Sequence, residues 1–263
     1  MARMGVWRAC NDVDTVLRVT DIALPDNLQR KLESAQSSAK RGQWVAAERG
    51  FSYVIEHQPT RWEAYVGRGN VHQERGDLEG AINDFTFAIR IAPDHAAPHW
   101  SRANARYLAG DLTGATQDFD AVIARHQDSA RAYERRGLVQ QRLGHEEAAE
   151  ADFTRAIELG EDRPDAYAHR AAVRALRGSV DAALGDCEAA IARMPERGRQ
   201  RDATLRLYRT LVMAQREIAT NQKTAARKVA KPKPKPKKAA TAKPSSSAKK
   251  RASKAVTSRR KSR

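Results

Sequence analysis

The chain is short of several things at once. It has only two cysteines, Cys10 and Cys187, far apart and in no CxxC pair. That spacing supplies neither a disulfide framework nor a zinc signature, and it suits a reducing compartment. No apolar run approaches the roughly 18 residues of a membrane-spanning helix. Residues 1–21 contain Asp12 and Asp14 and lack the apolar stretch of a signal peptide, so a soluble, cytoplasmic protein is expected. There is no GxxxxGK phosphate loop, no GxSxG elbow, no HExxH and no glycine run for a dinucleotide. These absences predict a protein that is not an enzyme and holds no cofactor and no metal.

Acidic residues are missing from one segment altogether. Asn221–Arg263 carries twelve lysines, five arginines and no Asp or Glu, although the whole chain is only +16. The remaining 31 basic and 32 acidic residues nearly cancel. A near-neutral body therefore bears a basic tail, the signature of an interaction segment.

What the body does have is repetition. Gly42, Gly76, Gly110, Gly144 and Gly178 follow one another at steps of 34 residues, as do Ala47, Ala81, Ala115, Ala149 and Ala183. Phe51, Phe85, Phe119 and Phe153 keep the same step, with Cys187 in the fifth place. A period near 34 with this spacing is that of stacked helix–turn–helix units. Five units are expected at 28–61, 62–95, 96–129, 130–163 and 164–197. The glycine closes each first helix, and Pro59, Pro93 and Pro195 stop second helices. Small residues at Ala35, Gly69, Ala103, Gly137 and Ala171 let the paired helices cross closely. Arg68, Arg102, Arg136 and Arg170 recur 16 residues before Asp84, Asp118, Asp152 and Asp186, while the first unit has Ser34 and Gly50 instead. Their joint absence predicts that they pair, within a repeat or across a junction. Residues 1–27 form either a packed N-terminal cap or a loose arm.

The pattern Tyr-x-x-Arg-Gly…Gly-Asp-x-x-x-Ala-Ile-x-Asp-Phe-x-x-Ala-Ile…Pro resembles the tetratricopeptide-repeat family, in its bacterial Arg-Gly variety, over residues 28–197. The resemblance implies an all-α, right-handed α-solenoid of five helix–turn–helix repeats plus a C-terminal capping helix at 198–220. Leu207, Leu211, Ala214 and Ile218 give that helix one apolar face. The third repeat departs from the pattern, with His99 and Trp100 where tyrosine is usual and Gln127 in place of proline, and looser packing is expected there.

The resemblance further implies a concave groove lined by the first helices, which would hold a protein or peptide partner. By position in the repeat, Asn70, Gln73, Trp100, Asn104, Tyr107, Arg131, Arg135 and His169 face inward. Asn70 and Asn104, one repeat apart, suit bidentate bonds to a peptide backbone. Arg131 and Arg135, four residues apart on one helix, make a fork for a carboxylate or phosphate. This resembles part of the carboxylate clamp of chaperone-binding members, but Val66 and Trp100 stand where its lysine would be sought. His95 and His99 beside Asp94 have helical metal-ligand spacing, yet a repeat junction explains them better. Cys187, in a core phenylalanine position, reads as a buried thiol.

From Asn221 to Arg263 a disordered tail is expected, because Lys-Pro alternation excludes a helix and bulky apolar residues are nearly absent. Its composition resembles the tails of linker histones. Lys231, Lys233, Lys235, Lys237 and Lys238, then Lys249, Lys250 and Arg251, then Arg259 and Arg260, are candidates for binding DNA or RNA backbones without reading sequence. That would place the protein at a nucleoid, or in a nucleus if the host is eukaryotic. An anionic membrane surface and a plain targeting or solubilising segment are the rivals. The sequence thus reads as a non-enzymatic adaptor, with a co-chaperone or assembly factor as the alternative. It does not fix the oligomeric state.

Overall fold

The computed structural model describes residues 25–160 and 163–230. Residues 1–24 and 231–263, and with them the cap-or-arm question and the candidate lysines and arginines of the tail, lie outside the described residues. Among the described residues there are eleven α-helices. They are α1 (Asp26–Lys40), α2 (Trp44–His57), α3 (Trp62–Glu74), α4 (Leu78–Ile91), α5 (Ala96–Ala109), α6 (Leu112–Arg125), α7 (Ala130–Leu143), α8 (Glu146–Leu159), α9 (Pro164–Leu176), α10 (Val180–Arg193) and α11 (Arg199–Ala230). The chain divides into two compact units at residues 219 and 220. The first holds α1 to α10 and most of α11. The second, among its described residues, is the end of α11.

Each repeat is one helix pair, and α1 to α9 each pack on the next helix in sequence. The first helices α1, α3 and α5 also touch one another directly, as do α7 and α9. The turn between paired helices depends on the glycine series, since Gly76 and Gly110 adopt φ of 83° and 87°, a left-handed backbone that disfavours any side chain. Asp77 and Asp111 follow at once and cap α4 and α6, each accepting from the backbone N–H three residues on at 2.9 Å.

The core is a column of phenylalanines. Phe51, Phe85, Phe119 and Phe153 are almost wholly buried, as is Cys187 in the fifth place. The alanine series from Ala47 to Ala183 is fully buried where the helices cross. Val71, Ala105, Val139 and Val173 make a second buried row on the first helices. A side chain on Gly69 or Gly137 would lie 2.6 Å or 2.8 Å from the phenylalanine of its own repeat. In the first repeat, Gly50 replaces the aspartate and brings α2 against α1: a Cβ there would lie 2.6 Å from that of Ala35.

The arginine–aspartate pairs form within each repeat. Arg68, Arg102, Arg136 and Arg170 each donate from Nε and from an Nη to both oxygens of the aspartate 16 residues on, at 2.6–2.9 Å. The other Nη of the same arginine reaches back across the junction. It finds Ser52, Thr86, Asp120 and Thr154, again a series with a step of 34 residues. One planar cation thus ties two helices of its own repeat to the second helix of the preceding one. In the fifth place of that series stands Glu188, which accepts from the Tyr208 hydroxyl of α11 at 3.1 Å.

These pairs are not equivalent. Asp118 accepts from Arg102 and Arg106 and has His99 at 3.5 Å. Burial alone would raise its pKa, but the His99 ring and the guanidiniums of Arg102 and Arg106 hold it below the usual carboxylate range. Asp186 likewise has Arg170 and Arg174. Asp152 has only Arg136, because the position of Arg106 and Arg174 is occupied by Gln140 in its repeat. Burial therefore wins at Asp152, and its pKa is raised. Gln140→Arg is expected to supply the missing cation, draw Asp152 below the usual range and raise stability at neutral pH by about 1 kcal/mol. A carboxylate with a depressed folded pKa stabilises above its unfolded pKa and loses that contribution as pH falls through the folded one. Thermal melts at neutral pH and below pH ~4 check it, and the gain should vanish in the acidic series.

Three expectations need correction. The third repeat is not loosely packed: His99 is buried against Asp118, and Trp100 meets Phe119 edge-on at 5.5 Å. In the other repeats Tyr65, Tyr133 and Tyr167 lie against the pairing arginine instead. The capping helix does not end at residue 220, and 221–230 is not disordered, since α11 runs to Ala230. That segment has Ala, Lys, Arg and Gln and no proline or glycine, and the helix ends where Lys231-Pro232 begins. Lastly, α11 seats Leu207, Tyr208, Leu211 and Val212 on the last repeat, while Ile218 is 45% exposed.

Candidate protein-binding groove

The groove arises from the phase of the first helices. Since α3, α5 and α7 present equivalent positions to the same side, residues 34 apart form rows along it. One row is Asn70 and Asn104, and another is Gln73 and Tyr107. These four, with Trp100, Ser101, Leu108, Arg131 and Arg135, line one open cavity of about 360 Å³. Seven of the eight residues expected to face inward therefore meet in it. The eighth, His169 on α9, does not line it. Its ring stacks on Phe153 at 5.5 Å, and that burial, with Arg135 nearby, pushes its pKa down. The sequence reading missed Ser101, which stands in the row of Arg135, and Leu108, which is 58% exposed at the rim.

The polar groups of the cavity are set by local contacts. Asn104 donates from Nδ2 to the Trp100 carbonyl at 2.8 Å, one turn back on its own helix. That fixes the amide and leaves its oxygen as an acceptor toward the cavity, so the expected bidentate bond to a peptide is reduced to acceptance plus one remaining N–H. The Trp100 ring is covered on one face by the Arg131 guanidinium, 4.9 Å from its centre. Tyr107 carries Arg142 in the same way at 4.6 Å, and Arg142 also donates to the Tyr107 carbonyl at 3.2 Å.

The charge of the cavity is set by which arginines meet carboxylates. Three nearby arginines are neutralised: Arg136 by Asp152 and Asp120, Arg163 by Glu134, Arg174 by Asp186 and Glu150, whereas Arg142 meets only the Tyr107 ring and carbonyl among the described residues. Arg131 and Arg135 pair with no carboxylate among the described residues. Arg131 is exposed and Arg135 half-buried. Two cations beside amide groups have the chemistry that an anionic, hydrogen-bonding ligand would require.

Nothing in the described residues assembles other chemistry. No group of three His, Cys, Asp or Glu side chains there is placed to hold a metal ion. His95 stacks on Trp62, and His99 reaches Pro93 and Asp118. The Cys187 thiol is buried and its pKa is pushed up to about 11, which removes the thiolate needed for reactivity. No helix among the described residues is long and apolar enough to cross a membrane.

Residues 66–130 and 101–164 match the family model of the tetratricopeptide repeat, so the central part of the chain carries repeats of that kind. No curated protein sequence matches. Among solved structures, the chain is similar to a tetratricopeptide repeat protein from Parabacteroides merdae, at TM-score 0.64 and 20% identity over 77% of this chain and 80% of that one. It is similar to MamA from Desulfovibrio magneticus, at TM-score 0.61 and 18% identity, covering 65% of this chain and 97% of that one. It is also similar to YrrB, at TM-score 0.56 and 17% identity, covering 63% and 86%. YrrB is described as a tetratricopeptide repeat protein with an unusual peptide-binding site. At these identities the likeness is one of fold.

Proposed function

We propose that this protein is a non-enzymatic scaffold that holds an anionic segment of a partner protein in the groove of α3, α5 and α7, and that its basic tail binds nucleic acid through phosphates. The observation that carries the first part is that Arg131 and Arg135 line one cavity together and pair with no carboxylate among the described residues, whereas Arg136, Arg163 and Arg174 are matched. The peptide-binding site named for YrrB, a protein of the same fold, supports the assignment of this kind of role. The second part rests on composition: residues 231–263 hold ten lysines, four arginines and no acid. No aromatic residue lies beyond Tyr208, which leaves the tail no stacking platform for bases.

Arg131→Ala with Arg135→Ala tests the groove. Neither side chain has a charged partner among the described residues, so the folding cost should be within about 1 kcal/mol and helicity unchanged. Partner affinity should fall by about 2–5 kcal/mol, the usual loss when one side of a charged contact is removed. Circular dichroism with a binding titration checks both. Full retention of affinity in the double variant would remove the groove from consideration.

A further inference from the structure

The groove does not end at Asn70. That residue also borders a second open cavity of about 380 Å³, toward the first repeat. Its surface is mostly carbon, from Ala39, Trp62, Val66 and Ala97 with the Phe51 ring at its floor, and Gln36, Lys40 and Glu63 also line it. Phe51 is otherwise buried in the core, and it reaches this cavity because Gly67 has no side chain. A Cβ at position 67 would lie 2.4 Å from the Phe51 ring. In the later repeats the same row carries Ser101, Arg135 and His169. The second repeat is therefore where this row is opened, at the entropic cost of a glycine inside a helix. Trp62 is held as a wall by stacking on His95 at 4.8 Å.

We propose that this cavity is an anchor pocket for one large apolar side chain of the same partner segment whose acidic group meets Arg131 and Arg135. The proposal rests on the groove reading and names the partner's chemistry: an extended peptide with an aromatic or branched aliphatic residue at one end and a carboxylate at the other. Asn70 and Asn104, between the two sites, meet its backbone. Packed helices lie about 8–10 Å apart. Two steps, from α3 to α5 to α7, therefore separate pocket and arginines by about 16–20 Å. Extended chain advances about 3.3 Å per residue, so anchor and acid stand about five or six residues apart. Charge complementarity selects this occupant over the chain's own basic tail.

The test is a selection of peptides from a random display library on the full-length protein, at about 0.3 M salt to screen loose contacts with the tail. It is run in parallel on Arg131→Ala/Arg135→Ala and on Ala97→Leu, which fills the pocket from an exposed position and should fold normally by circular dichroism. The wild type should enrich peptides with a large apolar residue about five or six positions from an acidic one. Ala97→Leu should keep the acid and lose the apolar preference, and should bind the winning peptide about 10- to 100-fold more weakly, the worth of one buried side chain. Acidic peptides without an apolar position, or equal binding by Ala97→Leu, would overturn the anchor and leave the groove reading standing. Peptides equally enriched on Arg131→Ala/Arg135→Ala would overturn the groove reading itself.

Discussion

Deletion of residues 231–263 is expected to abolish binding to duplex DNA. The charge bookkeeping is one-sided. Those residues carry fourteen cations and no acid, whereas the chain up to Thr220 is close to neutral. Each cation that meets a phosphate releases condensed counterions, and if about ten do so, log K should fall with log salt at a slope near −9. Full-length protein should then lose about 10⁵ in affinity between roughly 50 mM and 200 mM salt. The 1–230 chain, which keeps α11 entire, has only Lys223, Arg227 and Lys228 left of the basic segment and should show a shallow slope and little binding. Unrelated duplex sequences should bind alike, because nothing in the tail's composition supplies bidentate readout of base edges from a fixed frame. Gel shifts at several salt concentrations decide it. Equal affinity of the 1–230 chain would move the contact to the repeats.

The largest effect on stability should come from Arg136→Ala. Asp152 is buried and depends on this one arginine, since Gln140 offers it no charge. Removing Arg136 leaves a buried carboxylate without its partner, which typically costs about 3–5 kcal/mol. It also cuts the tie to Asp120 on α6, so the loss should fall on the junction of the third and fourth repeats. The pH dependence has a definite sign. The pKa of Asp152 is already raised by burial, and losing Arg136 raises it further. A carboxyl with a raised folded pKa is tolerated below its unfolded pKa, and its contribution is lost as pH rises through the folded value. The gap between variant and wild type should therefore be widest at neutral pH and narrow toward pH ~4. Arg102→Ala is the control. Asp118 keeps Arg106 and His99, so that variant should lose less at neutral pH. Denaturant melts across pH measure both, and equal losses in the two variants would show that the second cation is unimportant.

Much of this architecture is legible in the sequence because each repeat states its geometry again. The left-handed glycines, the alanine crossings and the phenylalanine column recur at fixed phase, so helix pairing and the inward rows follow from one unit. The groove residues were readable for the same reason, and seven of eight meet in one cavity. His169 failed because the phase that turns it inward also sets it over Phe153, where stacking absorbs it. Other features are hidden because their chemistry changes from repeat to repeat. The acceptor row behind each arginine is Ser52, Thr86, Asp120 and Thr154, a series of hydroxyls broken by one acid. His99 replaces a tyrosine by making a different contact, a ring nitrogen 3.5 Å from the aspartate in place of a ring against the arginine. The opening at Gly67 leaves no trace in a propensity reading, which records only a weak helix former. The end of α11 is hidden because apolar content falls before helicity does, and alanine and lysine continue a helix without needing a core.

Protein partners held by the groove and nucleic acid held by the tail should separate in one assay. The most direct measurement is a pull-down with full-length protein, Arg131→Ala/Arg135→Ala and the 1–230 chain, each with and without nuclease. Partners that survive nuclease on the wild type and on 1–230, and disappear with the double substitution, are the predicted result. Survival of the same partners on the double variant, or loss of all partners with nuclease, would contradict it.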